Sequence, residues 1–541
     1  MNNKLVTILL VTLVTLVGFF LRFLSFTNNP NSLNIDEVSY GYSAYSILKT
    51  GKDENGVFMP LTFRSTGDYK NPLLIYSLVP SIALFGFNEF SVRLTTVLFA
   101  TFSIPLFFLL VHSLSKSLRI ALIGATLLSI SGWHIFYSRF ASESQVGVFF
   151  LILGMWFFQK MLDSWKIWTF LAGISLSLSM YAYHSERLFI PVFIFLFLAI
   201  SYKKFRKNLP NTINFLLICV ILVLPLTYLI LFNSINTRAG MIFLTQDIDY
   251  TRYVIIDHLV KSNENILAFF FWIERYLNYF QPDFLFFNGL NMTYTGTIGL
   301  GVLYLFELPW LILGIIFLIK DRLHNKEFLI LWILVGLLPA SLTNNEQSAV
   351  RSLIILPPLI VIVAIGAEKF IFFISKIRNQ TLKILVSSLY FFLIAVVLLQ
   401  AFLIFTVHFP LQKGEAFMEG TKQSVLYALE NKEKYQEIVY DPYRGIEAPY
   451  IVNIPHMYIL FYSKYDPYKY QTEAKHFGKD TFGFDKFTIR KIDWREDRSK
   501  KGTLFIGSPW SLPPKDIKEE EILQRIYLSN GNLALLIVTP R

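Results

Sequence analysis

The sequence predicts a mainly α protein: a polytopic transmembrane helical bundle of about eleven spans plus one interfacial helix, followed by a small C-terminal α/β or α+β domain outside the membrane. Three observations predict this. Of the 541 residues, 54% are hydrophobic, only 16% are charged, and 53 are phenylalanine. A soluble chain of that length would carry more charge and less apolar surface. The apolar residues also fall in runs long enough to cross ~30 Å of hydrocarbon. After Phe409 the composition turns charged and rich in Tyr, Lys and Asp.

The first run, Met1–Phe26, opens with Lys4 and stays apolar for roughly 20 residues, longer than the ~7–15-residue core of a signal peptide. It is expected to be a retained anchor and the first span. Further runs lie near 91–113, 120–137, 144–160, 167–183, 187–202, 212–232, 297–319, 328–342, 351–372 and 382–408. Leu73–Phe87 is shorter and carries Pro80. Taken as non-spanning, it leaves Lys4, Lys116/Arg119, Lys160/Lys166, Lys203–Lys207, Lys320/Arg322/Lys326 and Lys376/Arg378/Lys383 on one side. That distribution satisfies the positive-inside rule. The expected protein is therefore multi-pass in the cell membrane, with its N-terminus cytoplasmic and its C-terminal domain extracytoplasmic.

The net charge of +11 sits in short clusters between apolar runs, with no continuous basic face, so no nucleic-acid partner is expected. The single Cys219 excludes an intrachain disulfide and a thiolate metal cluster. The expected organisation is a membrane domain, 1–409, and a soluble domain, 410–541. Outside the membrane lie Thr27–Pro72, the stretch from Asn233 to about Thr295 (expected to be structured against the bilayer), and the tail. In the tail, Glu437–Tyr440 and Thr503–Ile506 are expected strands. Arg525–Val538 is an expected hairpin around Ser529-Asn530-Gly531-Asn532, since Asn-Gly accepts the positive φ of a tight turn.

This topology gathers certain side chains at the outer face. Asp36 and Glu37 follow the first span, Lys70 precedes the interfacial helix, and Arg93 begins the next span. Arg139 and Glu143 lie where the third span ends, and Arg351 opens the tenth. Isolated cations at a bundle mouth suit a buried phosphate, and a carboxylate beside them can take a proton from a hydroxyl. Together they fit displacement of a lipid phosphate from a sugar by an incoming hydroxyl. Each residue also has an ordinary alternative: Asp36-Glu37 as helix caps, the cations as snorkelling side chains, Glu143 as a partner of Arg139. The constellation, not any one member, carries the functional expectation.

The residues carry a resemblance. Asp36-Glu37, Tyr69-Lys70-Asn71-Pro72, Glu89–Leu94, Ser138–Glu143, Pro282–Phe287, Gly299–Pro309 and the stretch from Arg351 through Pro357 to Gly366 resemble, in order and spacing, the GT-C glycosyltransferases. The likeness is to the bacterial members of family 39, related to protein O-mannosyltransferases and the lipid A aminoarabinose transferase, and covers roughly 1–410. It implies an inverting membrane glycosyltransferase that moves a sugar from a polyprenyl-phosphate donor to a hydroxyl acceptor, on a protein, lipid or cell-envelope glycan, at the outer face of the bilayer. The first-loop acid falls on Asp36, with Glu37 holding the loop. Lys70 and Arg93 would bind phosphate or support the loop. Relatives carry His-Pro-Pro or Lys-Pro-Pro where this chain has Lys70-Asn71-Pro72. No cofactor is required, although Asp36 and Glu143 would permit a divalent cation. The rival is a transporter or flippase of lipid-linked sugars, which would show matched halves with broken helices and charges near mid-membrane.

Overall fold

The computed structural model describes all residues except 1–2, 66–67, 165, 233–242, 245–246, 248–249, 251–263, 292–295, 298, 321–325, 345–346, 446–450, 474 and 477–480. The chain packs as two compact units, Met1–Leu24 with Thr96–Ile404, and Ser25–Thr95 with Phe405–Arg541. The first elements in chain order are α1 (Asn3–Phe23), α2 (Ile35–Thr50), β1 (Phe63–Ser65), β2 (Asp68–Lys70), α3 (Pro72–Phe85), α4 (Glu89–Ser115), α5 (Leu118–Ile130), α6 (Gly132–Ser138) and α7 (Glu143–Asp163).

The first unit is helical. Among the described residues, six helices are long and apolar enough to cross a membrane: Lys4–Phe23, Glu89–Ser115, Glu143–Asp163, Leu209–Phe232, Ala349–Ser375 and Gln380–Lys413. The α5/α6 pair, bent by 51°, makes a seventh when taken as one broken span. The four other expected runs form the shorter helices Lys166–Ala182, His184–Ile200, Leu308–Lys320 and Lys326–Gly336.

Two expected spans differ from what forms. The run 297–319 becomes helical only from Leu305, because Gly299 adopts φ +81° and the Glu307 carboxylate caps the new start by accepting from the Tyr304 amide at 2.7 Å. The run 120–137 breaks at Ser131. A break frees backbone carbonyls inside an apolar bundle, where each needs a donor. Buried Arg22 supplies two, donating to Ser129 O at 2.8 Å and Leu128 O at 3.0 Å. The Tyr304 hydroxyl supplies a third, to Ile130 O at 2.9 Å. Arg22 also meets His134 Nδ1 at 2.7 Å, whose other ring nitrogen lies 2.8 Å from Gln145 Nε2. About half of the expected outer stretch from Asn233 to about Thr295 lies outside the described residues; the described part includes the helix Glu264–Asn278 and a π-helical turn at Asp283–Asn288.

In the second unit, α3 has 14 residues with Pro80 inside. At 1.5 Å per residue it reaches about 21 Å, short of the ~30 Å hydrocarbon core. The tail holds β3 (Glu437–Tyr440), β4 (Tyr443–Arg444), β5 (Ile451–Val452), β6 (Lys475–His476), β7 (Phe482–Phe484), β8 (Phe487–Ile489), β9 (Thr503–Gly507), β10 (Ile522–Tyr527) and β11 (Leu533–Val538). Seven of these form one mixed sheet in the order β10-β11-β9-β3-β8-β7-β6. The central β3 runs parallel to both β8 and β9. Both expected strands form, and so does the expected hairpin: β10 and β11 pair antiparallel around Gly531 at φ +86°. A core of Val439, Ile492, Trp494, Phe505, Leu512, Ile517, Leu536 and Val538 closes one face of the sheet.

Beyond the composition shift near residue 409, the tail clusters in one compact unit with residues 25–95. At Gly41 of α2 the packing leaves no room for a side chain: an added Cβ would meet Phe461 Cε2 of the tail at 2.8 Å and Val92 Cγ2 at 2.9 Å. The Tyr458 hydroxyl donates to Leu33 O at 2.8 Å. Lys422 and the Tyr462 hydroxyl both reach the Glu89 carboxylate, at 2.9 and 2.7 Å.

Candidate active site

The acidic pair sits in the first turn of α2. Asn34 is the N-cap of α2: its side chain accepts from the Glu37 amide at 2.9 Å, while the Glu37 carboxylate accepts from the Asn34 amide at 3.0 Å. This reciprocal capping box fixes where the helix starts. Successive helical side chains diverge by about 100°, so Asp36 and Glu37 still face different surroundings.

Glu37 is fully buried and meets Arg93, also fully buried, through Nε at 2.9 Å and Nη2 at 3.1 Å. The guanidinium also donates to Phe26 O, Thr27 O and Pro30 O at 2.9, 3.1 and 2.9 Å and to Ser32 O at 2.5 Å. A guanidinium has five N–H bonds, and every nitrogen here is engaged by the loop or by Glu37. Of the two roles expected for Arg93, this geometry suits loop support, because no donor remains for a phosphate.

Asp36 faces the other way. Its side chain is 49% exposed and ion-paired with the Lys70 ammonium, which is only 8% exposed. Lys70 ends β2, where it pairs with Phe63 of β1. The hairpin is tied to α2 by a 2.7 Å contact between the Ser39 and Ser65 hydroxyls. Pro72 starts α3 directly after N-cap Asn71, a position that tolerates the missing N–H, so the lysine is held between two fixed elements. Its ammonium also lies 5.4 Å from the centroid of the Tyr40 ring. Asp36 and Tyr40 are four residues apart on one face of α2, and Lys70 packs on that face.

The same face continues to Ser43, whose hydroxyl donates to the buried Glu54 carboxylate at 2.6 Å. The other Glu54 oxygen is buried without a hydrogen-bond partner among the described residues. Burial pushes the Glu54 carboxyl up to about 7, against the smaller opposing pull of Ser43 and of the Lys70 charge. Sequence reasoning passed over Glu54 because it sits in a polar loop with no motif around it. It also passed over Arg22, although a lone charge inside an apolar span is a sufficient signal.

Asp36, Glu37, Lys70 and Arg93 thus converge in the second unit. Arg139, Glu143 and Arg351 belong to the first. Arg139 follows α6 and donates to Leu24 O at 2.7 Å, steadying the chain just beyond the C-terminus of α1. Glu143 is the buried first residue of α7. Arg351 lies in the short helix Ala349–Ser352, and its Nη1 is buried with no hydrogen-bond partner among the described residues. Among the described residues no group of three or more His, Cys, Asp and Glu side chains could hold a metal ion.

Residues 12–239 match the family model for dolichyl-phosphate-mannose-protein mannosyltransferase. No curated protein matches the chain in sequence. Among solved structures, ArnT from Cupriavidus metallidurans bound to undecaprenyl phosphate is similar over 99% of this chain and 98% of its own, at 12% identity and TM-score 0.56. The apo form of that protein aligns with the same coverage, 11% identity and TM-score 0.56. The oligosaccharyltransferase AglB from Archaeoglobus fulgidus, solved with an inhibitory peptide and a dolichol-phosphate, is similar over 81% of this chain and 62% of its own, at 13% identity and TM-score 0.51. The chain is therefore a polytopic helical membrane protein with the fold of ArnT, and residues 12–239 are similar to the dolichyl-phosphate-mannose-protein mannosyltransferase family.

Proposed function

We propose that the chain is an inverting membrane glycosyltransferase that moves a sugar from a polyprenyl-phosphate donor to a hydroxyl acceptor at the outer face of the bilayer. The observation that carries this is the Asp36–Lys70 pair: a half-exposed carboxylate on a buried helix, beside a nearly buried ammonium, on a loop locked by Arg93 and Glu37. The family domain and the undecaprenyl phosphate bound by ArnT support a lipid-linked donor.

In the step itself, the acceptor oxygen bonds to the anomeric carbon as the bond from that carbon to the phosphate oxygen breaks. The electron pair leaves on the phosphate and the hydroxyl proton passes to Asp36. A single displacement inverts the centre. Lys70 moves its charge from Asp36 toward the leaving phosphate, stabilising charge where it grows, and Asp36, relieved of its partner, becomes the better base. Arg351, with a buried nitrogen that has no hydrogen-bond partner among the described residues, is suited to anion binding. A divalent cation finds a poor donor set at Asp36, whose carboxylate already holds an ammonium, so no step is routed through one. In this reading the N-terminus is cytoplasmic and the tail lies outside, an orientation that the positive-inside distribution of the basic clusters supports.

The test is release of free polyprenyl phosphate by the purified chain from polyprenyl-phosphate sugars, measured with and without hydroxyl acceptors. Acceptor-dependent release with matching glycoside formation is the expected result. Movement of intact donor across vesicles with no release would favour the transporter instead.

A further inference from the structure

The soluble tail has a crevice of its own. The chain leaves the central strand β3, returns first to β8 on one side and later to β9 on the other, and both neighbours run parallel to β3. Connections that diverge in this way open a gap beyond the carboxyl ends of the strands, where open α/β sheets bind ligands. Here the segments following β8 and β9 line a cavity of about 590 Å³, within the ~300–1,000 Å³ range of small-molecule sites.

Its walls are firmly held from behind. At the end of β3, buried Asp441 accepts from the Ile492 amide at 3.0 Å and the Tyr443 amide at 2.8 Å. Asp497 takes both Nη atoms of Arg490 at 2.8 Å and Lys500 at 2.9 Å, fixing the segment after β8. Trp494 is buried with its ring against Phe505, and its indole N–H donates to Asp516 O at 3.3 Å, joining one wall to the other.

What lines the cavity between these anchors is a mixed set: Lys491, Arg495 and Arg498 as donors, Asp493 and Asp516 as acceptors, and Trp510, whose side chain is 48% exposed. A site for a simple anion would gain nothing from the two carboxylates, which repel it. A polyol needs both kinds of group, because each hydroxyl donates and accepts. A large exposed indole offers a flat apolar face, complementary to the C–H face of a pyranose ring. We propose that this crevice binds a saccharide, stacked on Trp510 and hydrogen-bonded by the surrounding acids and cations. The proposal is independent of the transfer reaction, since it uses no residue assigned to that reaction.

The test uses the full-length protein in detergent without lipid donor. The probes are chitotriose, mannotriose, cellotriose and trigalacturonic acid, followed by saturation-transfer NMR and calorimetry. At least one should bind with Kd near or below about 1 mM, with ring protons of one sugar face receiving the strongest transfer. Trp510→Ala should weaken it at least tenfold, Trp510→Phe should keep it within a few-fold, and Asp516→Asn should weaken it with thermal unfolding unchanged. Failure of all four sugars to bind, or binding indifferent to both Trp510→Ala and Asp516→Asn, would overturn the proposal. Displacement of the bound sugar by equimolar inorganic phosphate would overturn it too, as the mark of an anion site.

Discussion

Arg93→Met should release the first loop while leaving the rest of the fold in place. The guanidinium is fully buried, meets the Glu37 carboxylate through two nitrogens at 2.9 and 3.1 Å, and donates to four loop carbonyls. Removing one partner of a buried, hydrogen-bonded ion pair costs about 3–5 kcal/mol, because the other charge is left uncompensated. Here the buried Glu37 carboxylate would lose its guanidinium partner while keeping its cap contact to Asn34. Hydrogen exchange over residues 26–50 reads that loss directly, since local opening free energy sets amide protection. At about 1.4 kcal/mol per factor of ten, exchange should accelerate by roughly 10²–10⁴. Glu37→Gln in the same chain removes the stranded charge, so the double variant should exchange more slowly than Arg93→Met alone. Acceleration below tenfold, or a double variant no slower than the single, would refute the idea that this pair holds the loop.

Three further outcomes follow. Glu54 titrates near 7 in the folded chain against an ordinary 4.5, so its contribution to stability is fully present below 4.5 and is lost as pH rises through 7. That difference is about 3 kcal/mol, and chemical denaturation of Glu54→Gln should lack this decline between pH 5 and 8; parallel pH profiles would contradict it. Lys70→Ala and Arg351→Ala should each weaken polyprenyl-phosphate binding by about 1.5–3 kcal/mol, measured by calorimetry, and unchanged affinity in both would remove them from the phosphate site. A reporter fused after Arg541 should be active only outside the cytoplasm; cytoplasmic activity would mean that Leu73–Phe87 spans the membrane.

Much of this was legible in the sequence, for physical reasons that differ residue by residue. The apolar runs and the compositional break near 409 reveal the membrane bundle and the strand-bearing tail because hydrocarbon thickness dictates run length. Asp36-Glu37 stood out because ionised groups are costly beside a bilayer. That Glu37 belongs to Arg93 was not readable: the two are 56 residues apart, and only folding shows which cation the loop wraps. The break at Ser131 was missed because periodicity cannot show that Arg22 and Tyr304 would satisfy the freed carbonyls. The crevice beyond β8 and β9 depends on strand order, which no local pattern encodes.

The central claim is that Asp36 takes the acceptor's proton, and the most direct measurement is turnover of Asp36→Asn alongside its donor affinity. Asparagine keeps the size and much of the hydrogen bonding but cannot take a proton at neutral pH. General-base catalysis contributes about 10²–10⁴ in rate. The account predicts acceptor-dependent release of polyprenyl phosphate slowed by about that factor, with donor binding retained and the protection of residues 26–50 unchanged. Near-normal turnover by Asp36→Asn would contradict it and move the base to Glu37 or Glu143.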